Sequence, residues 1–183
     1  VLDQRGGIVG CYDAKTGLAY FGTGNPGPWN SHVRKGDNLY STSTVAIDVK
    51  TGQIVWHYQN TPNDGWDFDG VNEFVTYEDG GQILGGKADR NGFFYVIDRK
   101  TGEFISAEKI APVNWASGID PGTGRPHINP HYGTQPQLVM PGPGGAHNWF
   151  PMAYSPRTRL AYLPTYESGM VYAVDPDFRP KPF

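Results

Sequence analysis

The chain has 183 residues, enough for one sizeable hydrophobic core, and aromatic residues make up 14% of it. Its 15 basic and 18 acidic residues leave a net charge of -3 without any run of Lys and Arg, which argues against a nucleic-acid partner. A single cysteine, Cys11, excludes an internal disulfide and a cysteine-based zinc site, and no apolar run approaches the roughly 20 residues that cross a bilayer.

Turn residues recur along the whole chain. The 25 glycines and 16 prolines are spread between short apolar runs instead of being pooled in one linker. This rhythm is typical of an all-β protein. No stretch has a sustained apolar period of about 3.6 residues, so helices are expected to be short or absent.

The same strand, turn and strand unit recurs in chain order. A first version, YDAKTGLAYFGTG, starts at Tyr12 and is echoed by YSPRTRLAYLPTY from Tyr154. A second version, AIDVKTGQIVW at 46–56, aligns with VIDRKTGEFIS at 96–106 with an offset of 50 residues, and its first half returns as VYAVD at 171–175. These internal repeats predict repeated β-sheet units.

The repeated turns have a structural explanation. Asp48 and Asp98 are predicted to accept hydrogen bonds from turn N–H groups. Gly52 and Gly102 are predicted to take the positive φ that such turns need. We therefore assign no chemistry to these four residues.

Repeated antiparallel sheets of this length favour a β-propeller, in which each blade packs against its neighbours. About three blades fit in the chain, which is too few to close a ring. We therefore interpret residues 1–183 as one partial propeller domain, truncated at both ends.

Three longer insertions, at 24–41, 60–73 and 111–149, are the places to look for a functional site, since long loops in compact domains are usually functional. The second contains TPNDGWDFDGVNE, in which Asp64, Asp67 and Asp69 lie among aromatic residues. If this segment is extended, the side chains of Asp67 and Asp69 point to the same side.

Four motifs in order, YFGTGNPGPWN, WDFDGVNE, ADRNGFFYVIDRKTGE and GAHNWFPMAYSP, resemble the pyrroloquinoline quinone (PQQ)-dependent alcohol dehydrogenases of the methanol and ethanol dehydrogenase type. The resemblance covers nearly the whole chain after about residue 10. It implies an eight-bladed propeller that holds PQQ near its axis beside a metal ion. It also implies an alcohol pocket formed by loops at one end.

The resemblance implies roles for three oxygen-bearing residues. Asn25 matches a metal-ligating Asn, and Asp67 matches the base that takes the hydroxyl proton of the alcohol and also binds the metal. Asp69 matches an Asp found in lanthanide-using members, since a further anionic oxygen suits a trivalent ion better than Ca²⁺, which remains the alternative. A multivalent cation would also offset the repulsion among the crowded carboxylates.

Two further residues match cofactor contacts. Arg90 matches the basic residue that hydrogen-bonds the reactive quinone oxygen, where it would stabilise developing negative charge. Asn148 matches an Asn that touches the cofactor, whereas its neighbour Trp149 is predicted to pack in the core. His147 has no counterpart with a role.

The sequence departs from the family pattern at its start. The family places a Trp beneath PQQ just before the first motif, and QRGGIVGCYD has none. The family's metal-binding Glu and vicinal disulfide come from upstream blades that this sequence does not contain. The isolated fragment is therefore expected to bind PQQ poorly and to be inactive.

The implied reaction is the oxidation of a primary alcohol to an aldehyde, with electrons passed to a cytochrome c. The family further implies a periplasmic parent protein and allows a homodimer. A noncatalytic PQQ-repeat scaffold of the outer-membrane assembly type is the alternative, but it would need none of Asn25, Asp67 and Arg90. A carbohydrate-binding propeller that uses Trp29 and Trp115 is a further alternative.

Overall fold

The computed structural model describes residues 10–179, and this part of the chain is almost entirely β-structure. The fourteen strands are β1 Cys11–Asp13, β2 Leu18–Gly22, β3 Ser43–Asp48, β4 Ile54–Gln59, β5 Val75–Asp79, β6 Gln82–Ala88, β7 Phe93–Asp98, β8 Phe104–Lys109, β9 Ala116–Ile119, β10 Pro126–Ile128, β11 Gln137–Val139, β12 Ala153–Ser155, β13 Leu160–Tyr162 and β14 Met170–Tyr172. Within 10–179 the helical content is one short 3-10 helix, Ser31–Val33, and no helix there has the length and apolarity to cross a bilayer. The expectation that helices are short or absent is confirmed.

Two four-stranded antiparallel sheets form the body of the molecule, in the orders β1–β2–β3–β4 and β5–β6–β7–β8. The repeat predicted from the sequence extends to the strand register. Val45 lies opposite His57 in the first sheet, as Tyr95 lies opposite Ala107 in the second, and both pairings shift register after the next residue. Each sheet is therefore one copy of the same blade.

The chain continues into shorter pairs of strands. The β12–β13 hairpin has the same register as the β1–β2 hairpin, with Ala153 opposite Tyr162 as Cys11 lies opposite Tyr20. The repeated half-motif near 171–175 behaves differently, because β14 pairs with β11 and not with β13. The long insertion at 111–149 is also not wholly irregular, since β9, β10 and β11 lie in it.

The turns within the blades have the predicted construction. The side chains of Asp48 and Asp98 each accept backbone hydrogen bonds from the residues two and three positions later, at 2.8 and 2.9 Å. Gly52 and Gly102 have φ values of 72° and 80°. These residues therefore shape the turns, as predicted from their types and positions.

Aromatic side chains pack the first blade against the second. Trp56 is buried, and its indole N–H donates to the backbone oxygen of Arg99 at 3.2 Å. The hydroxyl of Tyr20 donates to the same oxygen at 2.8 Å. The Trp56 ring also covers Gly102, so closely that an added Cβ there would lie 2.8 Å from the ring. The close packing of the two blades thus requires a residue without a side chain at position 102, where the Trp56 indole lies.

A second core cluster lies under the long insertions. Trp66, Phe68 and Trp115 are buried there, and Trp66 stacks on His131 with ring centroids 4.3 Å apart. The Trp115 indole donates to the backbone oxygen of Asn91 at 2.7 Å. Because the Trp115 ring is buried, the carbohydrate-binding role suggested for it is wrong.

The prediction that Trp149 packs in the core is also wrong. Its side chain is 80% exposed and lies in an irregular segment between β11 and β12. An aromatic residue next to a loop motif carries no periodic signal that distinguishes a buried from an exposed ring.

We expect Gly102→Ala to destabilise the protein more than Gly52→Ala. Both changes place a side chain at positive φ, but only the Cβ at position 102 meets the Trp56 ring, whereas the space around Gly52 is open. Overpacking of this kind costs about 1–3 kcal/mol, which is the expected difference in the free energy of unfolding. Chemical denaturation of the two variants measures it, and equal losses would contradict the packing of Trp56 on the turn.

Candidate active site

The acidic segment at 61–73 forms a loop without strand structure between β4 and β5. Asp64 is buried in it and accepts backbone hydrogen bonds from Trp66 and Phe68, each at 2.8 Å. Burial raises the pKa of Asp64 to about 7, against the effect of these two hydrogen bonds, and the charges of Asp67 and Asp69 raise it further. Asp64 therefore shapes the loop and is not available to a ligand.

Asp67 and Asp69 do not follow the alternation of an extended strand. Their φ values are 65° and 56°, in the left-handed region that non-glycine residues rarely adopt. Phe68 between them is fully buried, while both Asp residues are half-buried. The prediction that an extended backbone aligns the two carboxylates is thus wrong, because buried rings and a left-handed backbone set their positions.

Asp69 joins two other predicted site residues. One of its carboxylate oxygens accepts a hydrogen bond from the backbone N–H of Asn25 at 2.9 Å. The other oxygen pairs with the guanidinium of Arg90. Asn25 and Arg90, which lie 44 and 21 positions from Asp69 in the sequence, therefore meet at its carboxylate.

Close backbone contacts hold these loops together. The N–H of Gly70 donates to the backbone oxygen of Thr23 at 2.8 Å. A Cβ added at Gly70 would lie 2.7 Å from backbone atoms of Thr42 and Ser43, so only glycine fits there. The segment that carries Asn25 is thereby fixed beside the acidic loop.

The Asp67 carboxylate lies in an environment of excess negative charge. Burial raises its pKa to about 6, the charge of Asp69 adds to the rise, and Arg90 opposes it. No hydrogen bond from the described residues contributes to holding its charged form. A cation beside Asp67 would supply the missing compensation.

The donor set fits a hard metal ion. Asn25, Asp67 and Asp69 offer only amide and carboxylate oxygens, the ligands that Ca²⁺ prefers. Within residues 10–179, no group of three or more His, Cys, Asp or Glu side chains could hold a metal by itself. Because such ions take about six to eight ligands, this set needs further donors.

Arg90 is enclosed by the loop at 142–148. Its guanidinium donates to the backbone oxygen of Pro143, and its own backbone oxygen accepts from Ala146 at 2.9 Å. A Cβ at Gly145 would lie 2.6 Å from the Arg90 side chain. The Nε of Arg90 is buried and has no hydrogen-bond partner in the described part of the chain.

Asn148 lies on the same loop, where its amide donates to the backbone oxygen of Gly144 at 2.9 Å. The loop at 142–148, which contacts Arg90 through Pro143 and Ala146, therefore places Asn148 near that residue. It is half-buried.

Sequence reasoning missed two charged pairs beside these residues. Lys87 and Asp89 are fully buried, 3.4 Å apart, and the ammonium of Lys87 donates to the backbone oxygen of Gly70 at 2.5 Å. Glu73 pairs with His147 at 3.1 Å. The one available signal was Lys87 itself, a charged residue among the small and apolar residues that follow Gln82 in β6.

The chain is similar to proteins of one family. The family model "PQQ: Glucose/ethanol/alcohol dehydrogenase, beta-propeller domain" matches residues 9–118. The quinoprotein alcohol dehydrogenase PedH of Pseudomonas putida is 49% identical over an alignment of 177 residues, and the match covers 89% of this chain and 30% of that protein.

Two solved structures extend the comparison to the fold. A europium-containing methanol dehydrogenase superimposes with a TM-score of 0.81 and 40% identity, over 86% of this chain and 29% of that one. The quinohemoprotein alcohol dehydrogenase from Comamonas testosteroni superimposes with a TM-score of 0.79 and 44% identity, over 85% and 24%. This chain thus spans less than a third of the relatives that it matches.

The family model covers more than half of the chain, and the two repeated blades are the architecture that it describes. The chain belongs to the PQQ family of glucose, ethanol and alcohol dehydrogenase β-propeller domains.

Proposed function

We propose that this chain is a segment of a PQQ-dependent dehydrogenase that oxidises primary alcohols of the methanol and ethanol class to aldehydes. The observation that carries the proposal is the meeting of Asn25 and Arg90 at the Asp69 carboxylate, with Asp67 close enough for the charges of Asp69 and Arg90 to act on its pKa. These residues belong to the motifs that resemble those of the quinoprotein alcohol dehydrogenases. A noncatalytic scaffold would have no use for such a group of charges.

Oxygen atoms of Asn25, Asp67 and Asp69 would bind one multivalent metal ion in this proposal. The raised pKa of Asp67 supports it, because burial and the charge of Asp69 raise that pKa and the charge of Arg90 offsets only part of the rise. Asp69 and the similarity to a europium-containing methanol dehydrogenase favour a lanthanide over Ca²⁺. The remaining ligands would come from other parts of the protein.

Bound PQQ would supply the two-electron oxidant, a chemistry that amino-acid side chains lack. Asp67 would accept the hydroxyl proton of the alcohol, for which its carboxylate must be ionised. A nearby cation lowers the pKa of a carboxyl group and so keeps Asp67 ready to accept.

Arg90 and Asn148 would position the cofactor. Asp69 and Pro143 fix the guanidinium of Arg90, and a quinone oxygen would be an acceptor for its N–H groups. The fixed positive charge would stabilise negative charge on that oxygen. Asn148 would contact the cofactor from the loop that covers Arg90.

We further propose a periplasmic protein that passes its electrons to a cytochrome c and can form a homodimer. Relatives named quinohemoprotein alcohol dehydrogenases support the cytochrome-type acceptor.

Asp67→Asn in the complete dehydrogenase should lower kcat at least about 100-fold, because the amide cannot accept the alcohol proton. A dye-linked assay with PQQ, a metal ion and a primary alcohol measures the loss. Glu108→Gln also replaces a carboxylate by an amide, but on an exposed residue of β8. It is the matched control and should keep the wild-type rate. A wild-type protein without PQQ-dependent oxidation would favour the scaffold, and an active Asp67→Asn enzyme would contradict the role of Asp67.

The choice of metal is tested by comparing La³⁺ with Ca²⁺ in the same assay. We expect higher activity with La³⁺, and a loss of at least about tenfold in La³⁺ affinity on Asp69→Ala, because the change removes one anionic ligand. Activity with Ca²⁺ alone that Asp69→Ala leaves unchanged would contradict the lanthanide proposal.

In the metal-free protein, Asp67 should titrate near its raised pKa of about 6, and Asp69→Asn should lower that pKa by removing a neighbouring negative charge. Since the folded-state pKa exceeds the ordinary value of 3.8, Asp67 stabilises the fold at low pH. That contribution is lost as the pH rises through about 6. Carboxyl NMR titration measures both midpoints, and an unchanged Asp67 midpoint in the variant would rule out the coupling.

A further inference from the structure

His147 is a fully buried histidine in the loop that covers Arg90, and it has no part in the function proposed above. Both of its ring nitrogens face oxygen atoms. Nδ1 lies 2.8 Å from the backbone oxygen of Pro164, and Nε2 lies 3.1 Å from a carboxylate oxygen of Glu73. A ring turned over by 180° would place carbon atoms against both oxygens, so these contacts fix its orientation.

The partners of the ring determine its protons. A backbone carbonyl oxygen can only accept a hydrogen bond, so Nδ1 must carry a proton. The same Glu73 oxygen that faces Nε2 also accepts from the backbone N–H of Met152 at 2.6 Å. An ionised carboxylate only accepts, so Nε2 must carry a proton as well. The contacts thus select the imidazolium form, with one hydrogen bond from each nitrogen.

The charges around His147 agree with this form. Burial alone lowers the pKa of His147, but hydrogen bonds to Glu73 and Pro164 and the charges of Glu73 and Asp89 raise it above the ordinary value of 6.5. For Glu73, burial raises the pKa, but the bonds from His147 and Met152 bring it below its ordinary value. The ion pair is therefore complete between these two pKa values. The ion pair is lost when the pH rises through the pKa of His147 or falls through the pKa of Glu73.

His147 also occupies a particular place in the chain. The residue before it, Ala146, donates its N–H to the backbone oxygen of Arg90, and the residue after it is Asn148. The side-chain amide of Asn72 donates to the backbone oxygen of His147 at 3.2 Å. Asn72 and Glu73 thus hold His147 from the end of the acidic segment.

We propose that His147 is a doubly protonated positioning residue that, through Glu73, fastens the loop at 142–148 to the acidic segment. The ion pair joins residues 74 positions apart, one beside the proposed metal ligands and one beside the proposed cofactor contact Asn148. Its consequence for PQQ rests on the proposed function, whereas its protonation state does not.

The protonation state is tested in the complete wild-type protein labelled with 15N-histidine. NMR at pH 7 should show a proton on both ring nitrogens of His147, with its signals assigned by their absence in His147→Gln. Glu73→Gln should move the His147 titration to lower pH, because the amide has no charge. A neutral His147 ring at pH 7 in the wild type would overturn the proposal.

The positioning role is tested by PQQ affinity. His147→Gln and Glu73→Gln should each raise the Kd for PQQ about tenfold, within the range expected for losing a charge-assisted hydrogen bond, while kcat at saturating PQQ changes much less. The wild-type affinity should fall as the pH rises through the pKa of His147, and this dependence should disappear in His147→Gln. His127→Gln is the control, since the His127 side chain is 59% exposed.

An unchanged PQQ affinity in folded His147→Gln and Glu73→Gln proteins would overturn the positioning role. A wild-type protein that does not bind PQQ would overturn the proposed function instead, and the NMR result would stand independently of it.

Discussion

The carboxylate of Asp69 accepts a hydrogen bond from the backbone of Asn25 and pairs with the guanidinium of Arg90, so one side chain joins three loops. Both oxygens are engaged, yet a carboxylate has about four acceptor positions and keeps capacity for a metal ion. The pair is half-buried, where charge interactions are stronger than in water. The mutual positions of the proposed metal ligands and of Arg90 therefore depend on this contact.

The aromatic residues of the acidic segment explain how such a concentration of charge is held. Trp66 and Phe68 are buried in the core cluster, and the hydroxyl of Tyr172 donates to the backbone oxygen of Trp66 at 2.8 Å. Burial of each ring of this size contributes on the order of a few kcal/mol to the free energy of folding. The two rings anchor the loop. Asp67, which lies between them in the sequence, and Asp69, which follows them, stay half-buried. Burial of the aromatic residues thus stabilises the segment, while the repulsion is between the carboxylates of the residues that alternate with them.

Much of the fold could be predicted because it repeats. Equivalent Asp and Gly positions identified the turns, and the offset of 50 residues matched even the register shift after Ala46 and Val96. The candidate residues Asn25, Asp69 and Arg90 were found from motifs, and the structure brings them together. Local patterns were less informative where the backbone is irregular. Because Asp67 has a left-handed φ, the side chains of this segment do not alternate between two faces as they would in an extended strand.

The charged pairs next to the site could not be predicted from one sequence. Glu73 and His147 are separated by 74 positions, and neither residue lies in a periodic pattern. Lys87 was visible as a charged residue in a strand, but its partner oxygen on Gly70 belongs to another loop. Such contacts depend on how distant segments pack together, and local sequence patterns do not predict that packing.

The proposed activity requires that oxygens of Asn25, Asp67 and Asp69 converge on one multivalent ion. Anomalous diffraction from crystals of the complete protein grown with La³⁺ and PQQ measures this directly. We expect a single strong lanthanum peak within bonding distance of all three side chains. Full lanthanum occupancy elsewhere, with these side chains directed away from the ion, would contradict it.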